Sequence, residues 1–202
     1  MTDENYWDLL MVDDFTASVY MAAYDEGVGS KTRMVLGEFI NDGESVLDVG
    51  CGPGWNYDHF LKYGPEIGDY LGMDYSKRFV RVANVRNSGK YIHGDARHIS
   101  QPDESWDVVI LQDVLEHTNG YKDPVNEALR VARKRIIITF WRMNMTAGDV
   151  INDDGNDGWG ASYSQKDWEA FLNSLKYVWH QYDYTSAYKH KRDYYIIEKE
   201  QA

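Results

Sequence analysis

Asp48, Gly50, Gly52 and Gly54 alternate through the stretch Ser45-Val46-Leu47-Asp48-Val49-Gly50-Cys51-Gly52-Pro53-Gly54. An acid followed by glycines at every second position suits recognition of a polar small molecule. Glycine lets the backbone turn tightly and leaves room for a ligand beside the main chain, and a carboxylate accepts hydrogen bonds. Val46, Leu47 and Val49 predict a short strand ahead of the glycines, and Trp55 to Tyr63 read as a helix behind them. Strand, glycine turn and helix start together make an open crevice, with backbone N–H groups expected to point into it. Two further acids occupy comparable places, Asp74 after Tyr70-Leu71-Gly72-Met73 and Asp95 after Lys90-Tyr91-Ile92-His93-Gly94. Asp74 follows the turn by about 20 residues, where nucleotide folds place a carboxylate for ribose hydroxyls. Gln112-Asp113-Val114-Leu115-Glu116-His117 closes a fourth apolar run. An imidazole titrates near ~6.5, within reach of proton removal at neutral pH, and serves equally well as a structural group bonding the backbone.

A dinucleotide fingerprint, G-x-G-x-x-G, needs a third glycine where Trp55 stands. The pattern D-x-G-x-G-x-G instead resembles motif I of the class I S-adenosylmethionine-dependent methyltransferases. That resemblance implies S-adenosylmethionine as cofactor and S-adenosylhomocysteine as product. It implies Gly50, Cys51, Gly52 and Gly54 along the cofactor, with Asp48 orienting the glycine loop or reaching the amino end. It also implies Asp74 on the ribose hydroxyls, Tyr75 against the adenine face, and Asp95, followed by Ala96, at the adenine amino group. Gln112 would border the methionine end, with Asp113 further out. The family often carries a similar Val-Leu-Glu-His segment beside the methyl group, which makes His117 the candidate catalytic base. The resemblance covers about residues 45–141 well and 164–198 in outline; residues 1–44 match no known pattern.

The elements that must position these residues alternate. A first helix is expected within 4–24, and a second runs from a Ser30 cap to Ile40. Strands then fall at 45–49, 70–74, 90–95, 106–111 and 136–141, with helices at 55–63, 77–86 (capped by Ser76) and 123–134. Asp123 and Pro124 read as the cap and first residue of the last of these. Ser164 with Asp167 opens a helix to about Leu175. The runs 177–182 and 194–198 form an antiparallel hairpin at one sheet edge. Alternating strands and helices predict an α/β, doubly wound, Rossmann-like sheet. The resemblance implies seven strands, mostly parallel with the last reversed. The chain reads as a single domain, residues 1–44 a helical cap and 45–202 the core.

Composition bounds the function. The chain has 202 residues, 43% of them hydrophobic, and 21 Lys+Arg against 33 Asp+Glu give a net charge of −12. Such a field opposes nucleic acid, whose binding rests largely on phosphate neutralisation. Two basic clusters are ascribed to ordinary structural places. Arg130, Arg133, Lys134 and Arg135 end a helix, where cations suit the dipole, and Lys189, Lys191 and Arg192 lie in the hairpin loop. Cys51 is the lone cysteine, which excludes an internal disulfide and indicates a reducing, cytoplasmic setting. The N-terminus lacks a basic region followed by an apolar core, and no apolar run approaches the ~20 residues of a membrane span. Residues 152–158 do not match a calcium loop and read as an acidic mobile loop, with no metal expected. Together with Trp141, Trp159, Tyr163 and the aromatic N-terminal segment, that loop is expected to form the acceptor pocket. No Asn/Asp/Ser-Pro-Pro-Tyr/Phe motif follows the fourth strand, which argues against amino methylation of DNA bases. Transfer to an oxygen or nitrogen of a small molecule is the leading expectation. A protein or RNA substrate, or cofactor binding without turnover on the same fold, stays open.

Overall fold

The computed structural model describes residues 28–86, 88–140, 143–144, 150–153, 159–185 and 191–199. The helix expected within 4–24 and most of the acidic loop lie outside them. Helix α1 spans Val28–Glu38. It leads into strand β1 (Ser45–Val49), helix α2 (Trp55–Tyr63), β2 (Asp69–Asp74), α3 (Lys77–Arg86) and β3 (Lys90–His93). Then follow β4 (Trp106–Gln112), a 3-10 turn (Leu115–His117), α4 (Lys122–Val131) and β5 (Ala132–Phe140). Short strands β6 (Met143–Asn144), β7 (Val150–Asp153) and β8 (Trp159–Ser164) precede α5 (Gln165–Ser174), β9 (Val178–Thr185) and β10 (Lys191–Glu198).

The main sheet has seven strands in the order β3-β2-β1-β4-β5-β10-β9. Strands β1 to β5 run parallel, and β10 is antiparallel to both β5 and β9. The expected α/β sheet with a reversed last strand and a closing hairpin is therefore present. Apolar residues along the central strands alternate between two covered faces. Val46, Val108, Ile110 and Ile137 pack with Leu36 of α1 and Phe60 of α2. Leu47, Val109, Leu111, Ile136 and Ile138 pack on the other face with Val125 and Leu129 of α4. All seven residues of β4 are buried, as a central parallel strand covered on both faces requires. From β1 the chain builds outward to β3 and then crosses back to β4. The crevice between β1 and β4 is thus the point where strand order reverses, and ligands in such sheets sit beyond the carboxyl ends there. Register aligns those ends: Val49 lies opposite Met73 of β2 and Leu111 of β4.

Several boundaries differ from the sequence expectation. Strand β3 stops at His93, which leaves Asp95 in the following turn. Helix α4 starts two residues early, with Tyr121 rather than Asp123 at its cap position and no side-chain cap bond. Asp123 then lies in the first turn, where a carboxylate suits the dipole, and Pro124 still falls among the amides that need no helical partner. The larger correction is at the other end. The helix ends at Val131, and Arg133, Lys134 and Arg135 belong to β5. Three acids at the same rim of the sheet explain why. Arg135 contacts Glu44 at 2.6 Å and Glu198 at 3.3 Å, Lys134 contacts Glu44 at 3.2 Å and Asp107 at 3.3 Å, and Arg133 contacts Asp107 at 3.0 Å. Arg130 alone stays in the last helical turn, paired with Glu127 and Asp103. Lys191 and Arg192 lie in β10 rather than in a loop, and Lys189 is outside the described residues. A three-stranded sheet, β6-β8-β7, occupies the segment between β5 and α5, where only a loop was expected. Ser164 caps α5 as read, accepting from the Asp167 amide at 3.3 Å.

Glu44 is 4% exposed. Burial pushes its carboxyl up, but the Asn41 amide, Arg135 and Lys134 together hold it below the ordinary carboxylate value. A depressed carboxyl stabilises the fold above its unfolded pKa, and that stability is lost as pH falls through the folded value. Glu44→Gln removes the buried carboxylate that Arg135 and Lys134 share and leaves Arg135 with the longer ion pair to the half-exposed Glu198. Unfolding in urea at pH 7 is expected to show a loss of about 3 kcal/mol, and the loss should shrink as the medium is acidified below pH 4. A loss within 0.5 kcal/mol of zero, the range ordinary for surface changes, would show that the cluster is not a buried ion pair.

Candidate functional site

The turn after β1 is set by three left-handed glycines, Gly50 at φ 75°, Gly52 at φ 55° and Gly54 at φ 87°. Two of them are constrained differently. A Cβ on Gly50 would overlap the Val114 side chain, whereas one on Gly52 would meet nothing nearer than the Trp55 ring at 3.9 Å. Gly50 is therefore where the segment after β4 packs onto the turn, and Gly52 faces space that no other described residue fills.

The turn's amides do not point into the crevice as expected. The Gly50 and Cys51 N–H groups both donate to the Met73 carbonyl, at 2.7 and 3.1 Å. The Gly52 amide donates to Asp74 Oδ2 at 2.8 Å, and the Gly54 amide to the Cys51 carbonyl at 3.1 Å. Parallel pairing of β1 with β2 simply continues past the strand ends and consumes these donors. An anion such as pyrophosphate finds little to bind there. The side chains beneath and beside the turn supply acceptors.

Asp48 is fully buried beneath the turn. Its Oδ2 accepts from the Tyr70 hydroxyl at 2.6 Å and from Asn56 Nδ2 at 3.1 Å. Its Oδ1 has no partner. Burial is the main force that pushes this carboxyl up to about 6, with Asp74 adding to it and the bonds from Tyr70 and Asn56 working against it. Sequence reasoning missed Tyr70 and Asn56 as its holders. Gly72, opposite Asp48 across β1 and β2, is no pointer to them, because the space it leaves is taken by Tyr91 and Cys51. Cys51 is also buried, its thiol pushed up chiefly by burial and then by Asp74 and Asp48, so it is no nucleophile.

Asp74 sits at the rim. Besides Gly52, it accepts the Ser76 amide on Oδ1 at 2.8 Å, which ties the glycine turn to the start of α3. Tyr75 beside it is partly exposed, and its ring lies 6.1 Å from that of His93. Asp95 is more committed. Arg97 grips both its oxygens, with Nη2 to Oδ2 at 2.7 Å and Nε to Oδ1 at 3.0 Å, and the Arg97 amide donates to Oδ1 at 2.8 Å. Burial raises the Asp95 carboxyl, and Arg97 outweighs it, so the acid ends below its ordinary value. Ala96 is partly buried against the core.

Gln112 ends β4 with 9% exposure, and its Oε1 is buried without a partner. The next residue, Asp113, adopts φ 53°, a conformation that acids tolerate better than most residues. Thr139 of β5 pins it there. The Asp113 amide lies 3.2 Å from Thr139 Oγ1, which donates in turn to Asp113 Oδ1 at 3.1 Å. This reversal sends Val114 over Gly50 and places His117 on the 3-10 turn, partly buried. Tyr163 was read as lining an acceptor pocket. It is instead fully buried, and its hydroxyl donates to the Leu115 carbonyl at 2.7 Å, with the Thr118 carbonyl 3.0 Å away. It braces the turn that carries His117. Trp141 lies outside the described residues, and of Trp159 only the backbone is described.

The methyltransferase-domain family model matches residues 47–139, the span from β1 to β5 that holds the glycine turn, the strand-end acids and His117, with Tyr163 of β8 outside it. Over this span, a little under half of the chain, the match is in keeping with the resemblance to class I S-adenosylmethionine-dependent methyltransferases. S-Adenosylmethionine is the cofactor of this family. The chain is 30% identical over 101 residues to the demethylmenaquinone methyltransferase of Listeria welshimeri, covering 46% of this chain and 42% of that protein. It thus spans less than half the length of the curated relatives it matches. Among solved structures, magnesium protoporphyrin IX methyltransferase from Synechocystis with bound S-adenosylmethionine has a TM-score of 0.71 at 15% identity, covering 98% of both chains. Haemonchus contortus phosphoethanolamine N-methyltransferase 2 has a TM-score of 0.78 at 13% identity, covering 100% of this chain and 61% of that one. These likenesses are of fold. The residues present fit the family's cofactor on the chemistry of their donor set: a glycine open to approach, and unpartnered buried acceptors on Asp48 and Gln112 suited to a cation.

Gly52→Val is expected to keep the fold, because its Cβ has room, at ~1–3 kcal/mol for a β-branched residue at positive φ. It should abolish cofactor binding by filling the approach. Gly50→Val should lose the native circular dichroism signal or most of its thermal stability, because Val114 occupies that space. Equal behaviour of the two variants in circular dichroism and cofactor titration would refute the division of labour between these glycines.

Proposed function

We propose that this chain transfers the methyl group of S-adenosylmethionine to an oxygen or nitrogen of a small-molecule acceptor in the cytoplasm. The observation that carries the reading is a pair of buried oxygens, on Asp48 and Gln112, without a partner among the described residues, at the carboxyl ends of β1 and β4 where the strand order reverses, with room for a Cβ at Gly52 among the described residues. Gly50, Cys51, Gly52 and Gly54 form the wall against which the cofactor lies. Asp74 accepts from the ribose hydroxyls with the lone pairs that Gly52 and Ser76 leave, Tyr75 covers the adenine, and Asp95 with Ala96 meets its edge. Gln112 and Asp48 supply acceptors toward the ammonium end. When bound, the cofactor supplies an electrophilic methyl group on a cationic sulfur. The chain's own work is then to position the acceptor and exclude water, with His117 taking the proton from the attacking atom.

A small acceptor is favoured by charge. Arg130, Arg133, Lys134 and Arg135 are the described basic cluster, and all four are paired to acids. Those of β5 lie at the amino-end rim of the sheet, away from the crevice, on a chain of net charge −12. The relatives named above act on quinone, porphyrin and phosphoethanolamine-type compounds by their names. Among the described residues no helix is long and apolar enough to cross a membrane, and no cluster of His, Cys, Asp and Glu could hold a metal.

Two measurements test the proposal. S-Adenosylmethionine at a hundred times its Kd should raise stability by ~2.7 kcal/mol, and release of S-adenosylhomocysteine should follow addition of a suitable small acceptor. A calorimetric blank at millimolar cofactor would sink it. Within the site, Asp74→Ala should weaken cofactor binding by ~3 kcal/mol, about a hundredfold, because two bonds to a carboxylate are lost. Asp95→Ala should cost about half that energy, and its loss partly reflects the freeing of Arg97. A reversed order in direct titration would exchange their roles.

A further inference from the structure

One buried oxygen beneath the glycine turn has no hydrogen-bond partner among the described residues, and this bears on how the crevice above it fills. Asp48 is fully buried, and its Oδ2 is taken by Tyr70 and Asn56 while Oδ1 accepts nothing. The groups that face it are Tyr70 from β2, Asn56 from α2, the Cys51 thiol in the turn, and Asp74 at the end of β2. Tyr91 of β3 stands behind Tyr70, the ring centroids 5.9 Å apart. None of these is a cation, and Asp74 adds charge of the same sign. A dehydrated carboxylate with one bare oxygen is costly. Without a ligand, the available relief is a proton on Oδ1, in keeping with a carboxyl pushed up to about 6 by burial and then by Asp74. A cation placed in the crevice supplies the other relief and favours the ionised acid.

We propose that Asp48 couples uptake of the cationic cofactor to release of a proton, so that below neutrality the site must lose a proton to be filled. The inference rests on the reading of this crevice as the S-adenosylmethionine site. The proton passes from Asp48 to solvent, and the ammonium group of the incoming ligand takes over compensation of its charge; no covalent bond forms or breaks. The sign follows. The empty site is protonated at low pH and the filled one is not, so apparent affinity falls as pH drops from 7 to 5, by about tenfold for an acid titrating midway.

Isothermal titration of the full chain with S-adenosylhomocysteine, which keeps the ammonium group, reads the exchange directly when repeated in phosphate and in bis-tris. At pH 6 about half a proton should be released per ligand bound, and at pH 8 none. Asp48→Asn should bind without that release and with a flat affinity profile between pH 5 and 7. Tyr70→Phe removes one donor from Oδ2 and so disfavours the ionised form. It should move the midpoint of the affinity profile to higher pH, and it carries the test by itself if the Asn variant does not fold. Wild-type binding at pH 6 without proton release overturns the inference, as does the same release in Asp48→Asn, which would assign the proton to another group such as His117. An unmoved midpoint in Tyr70→Phe also overturns it. Absence of any binding at pH 8 is a different failure, since it removes the cofactor reading and this inference with it.

Discussion

The Met73 carbonyl takes two amides, from Gly50 and Cys51, and much of the site follows from that bond pair. Two successive donors reach one oxygen only if the chain curls sharply off the end of β1, and left-handed glycines make the curl affordable. The next amide, of Gly52, goes to Asp74. The turn is thus fastened to β2 from Gly50 to Gly52, the Gly54 amide turns back to the Cys51 carbonyl, and these donors are spent on the protein itself. A glycine turn with free amides is an anion site. Spending those amides inverts its chemistry, because the crevice then presents carbonyl and carboxylate oxygens. The chemical class of ligand is fixed by which partner the backbone N–H groups have, not by the number of glycines.

Stability and function occupy opposite rims of one sheet. At the amino ends of β1, β4 and β5, Glu44, Asp107 and Arg133 to Arg135 neutralise one another in a partly buried cluster. At the carboxyl ends, Asp48 and Gln112 each keep a buried oxygen without a partner among the described residues, and Asp74 accepts from the Gly52 amide. Both sets of charges are tethered to the same strands, and β4, buried along its whole length, holds the two rims at a fixed separation. A sheet that satisfied both rims equally would have nothing left with which to bind. The brace from Tyr163 to Leu115 belongs to the same division. It hangs the His117 turn on β8 through one hydroxyl, while Gly50 holds it from the other side through contact with Val114.

Much of this was legible in the chain because it is local. The strand before the glycines, helix 55–63, the Ser164 cap and the closing hairpin follow from periodicity and turn chemistry within a few residues of each feature. Most of the failures are non-local. Residues 132–135 read as the end of a helix because the run of cations suits a helix dipole. They form a strand because Glu44, Asp107 and Glu198, distant in sequence, meet them at one rim. Tyr163 read as pocket lining because its neighbours are aromatic and its partner carbonyls lie nearly fifty residues away. Asp95 read as an open acid, yet Arg97 sits two residues on and encloses it. That contact was local, and the strand-end pattern drew attention from it. The direction of the turn's amides depends on where β2 ends relative to β1, which no single segment contains.

Asp48 joins the two levels. In sequence it is merely the acid of a motif, and its position on the fourth residue of a five-residue strand places it inside the sheet rather than at its rim. Burial follows from that place, and a buried carboxylate must be bonded, protonated or compensated. Tyr70 and Asn56 bond one oxygen and leave the other. Adding a third internal donor would make the empty protein more comfortable and the site less responsive, because nothing would then change at Asp48 when a cation arrived. The unsatisfied oxygen is therefore best understood as binding free energy held in the fold of the empty protein. Natural folds retain such locally unfavourable groups at functional sites. Here its location directly beneath the glycine turn links the stability of the sheet to occupancy of the crevice above it.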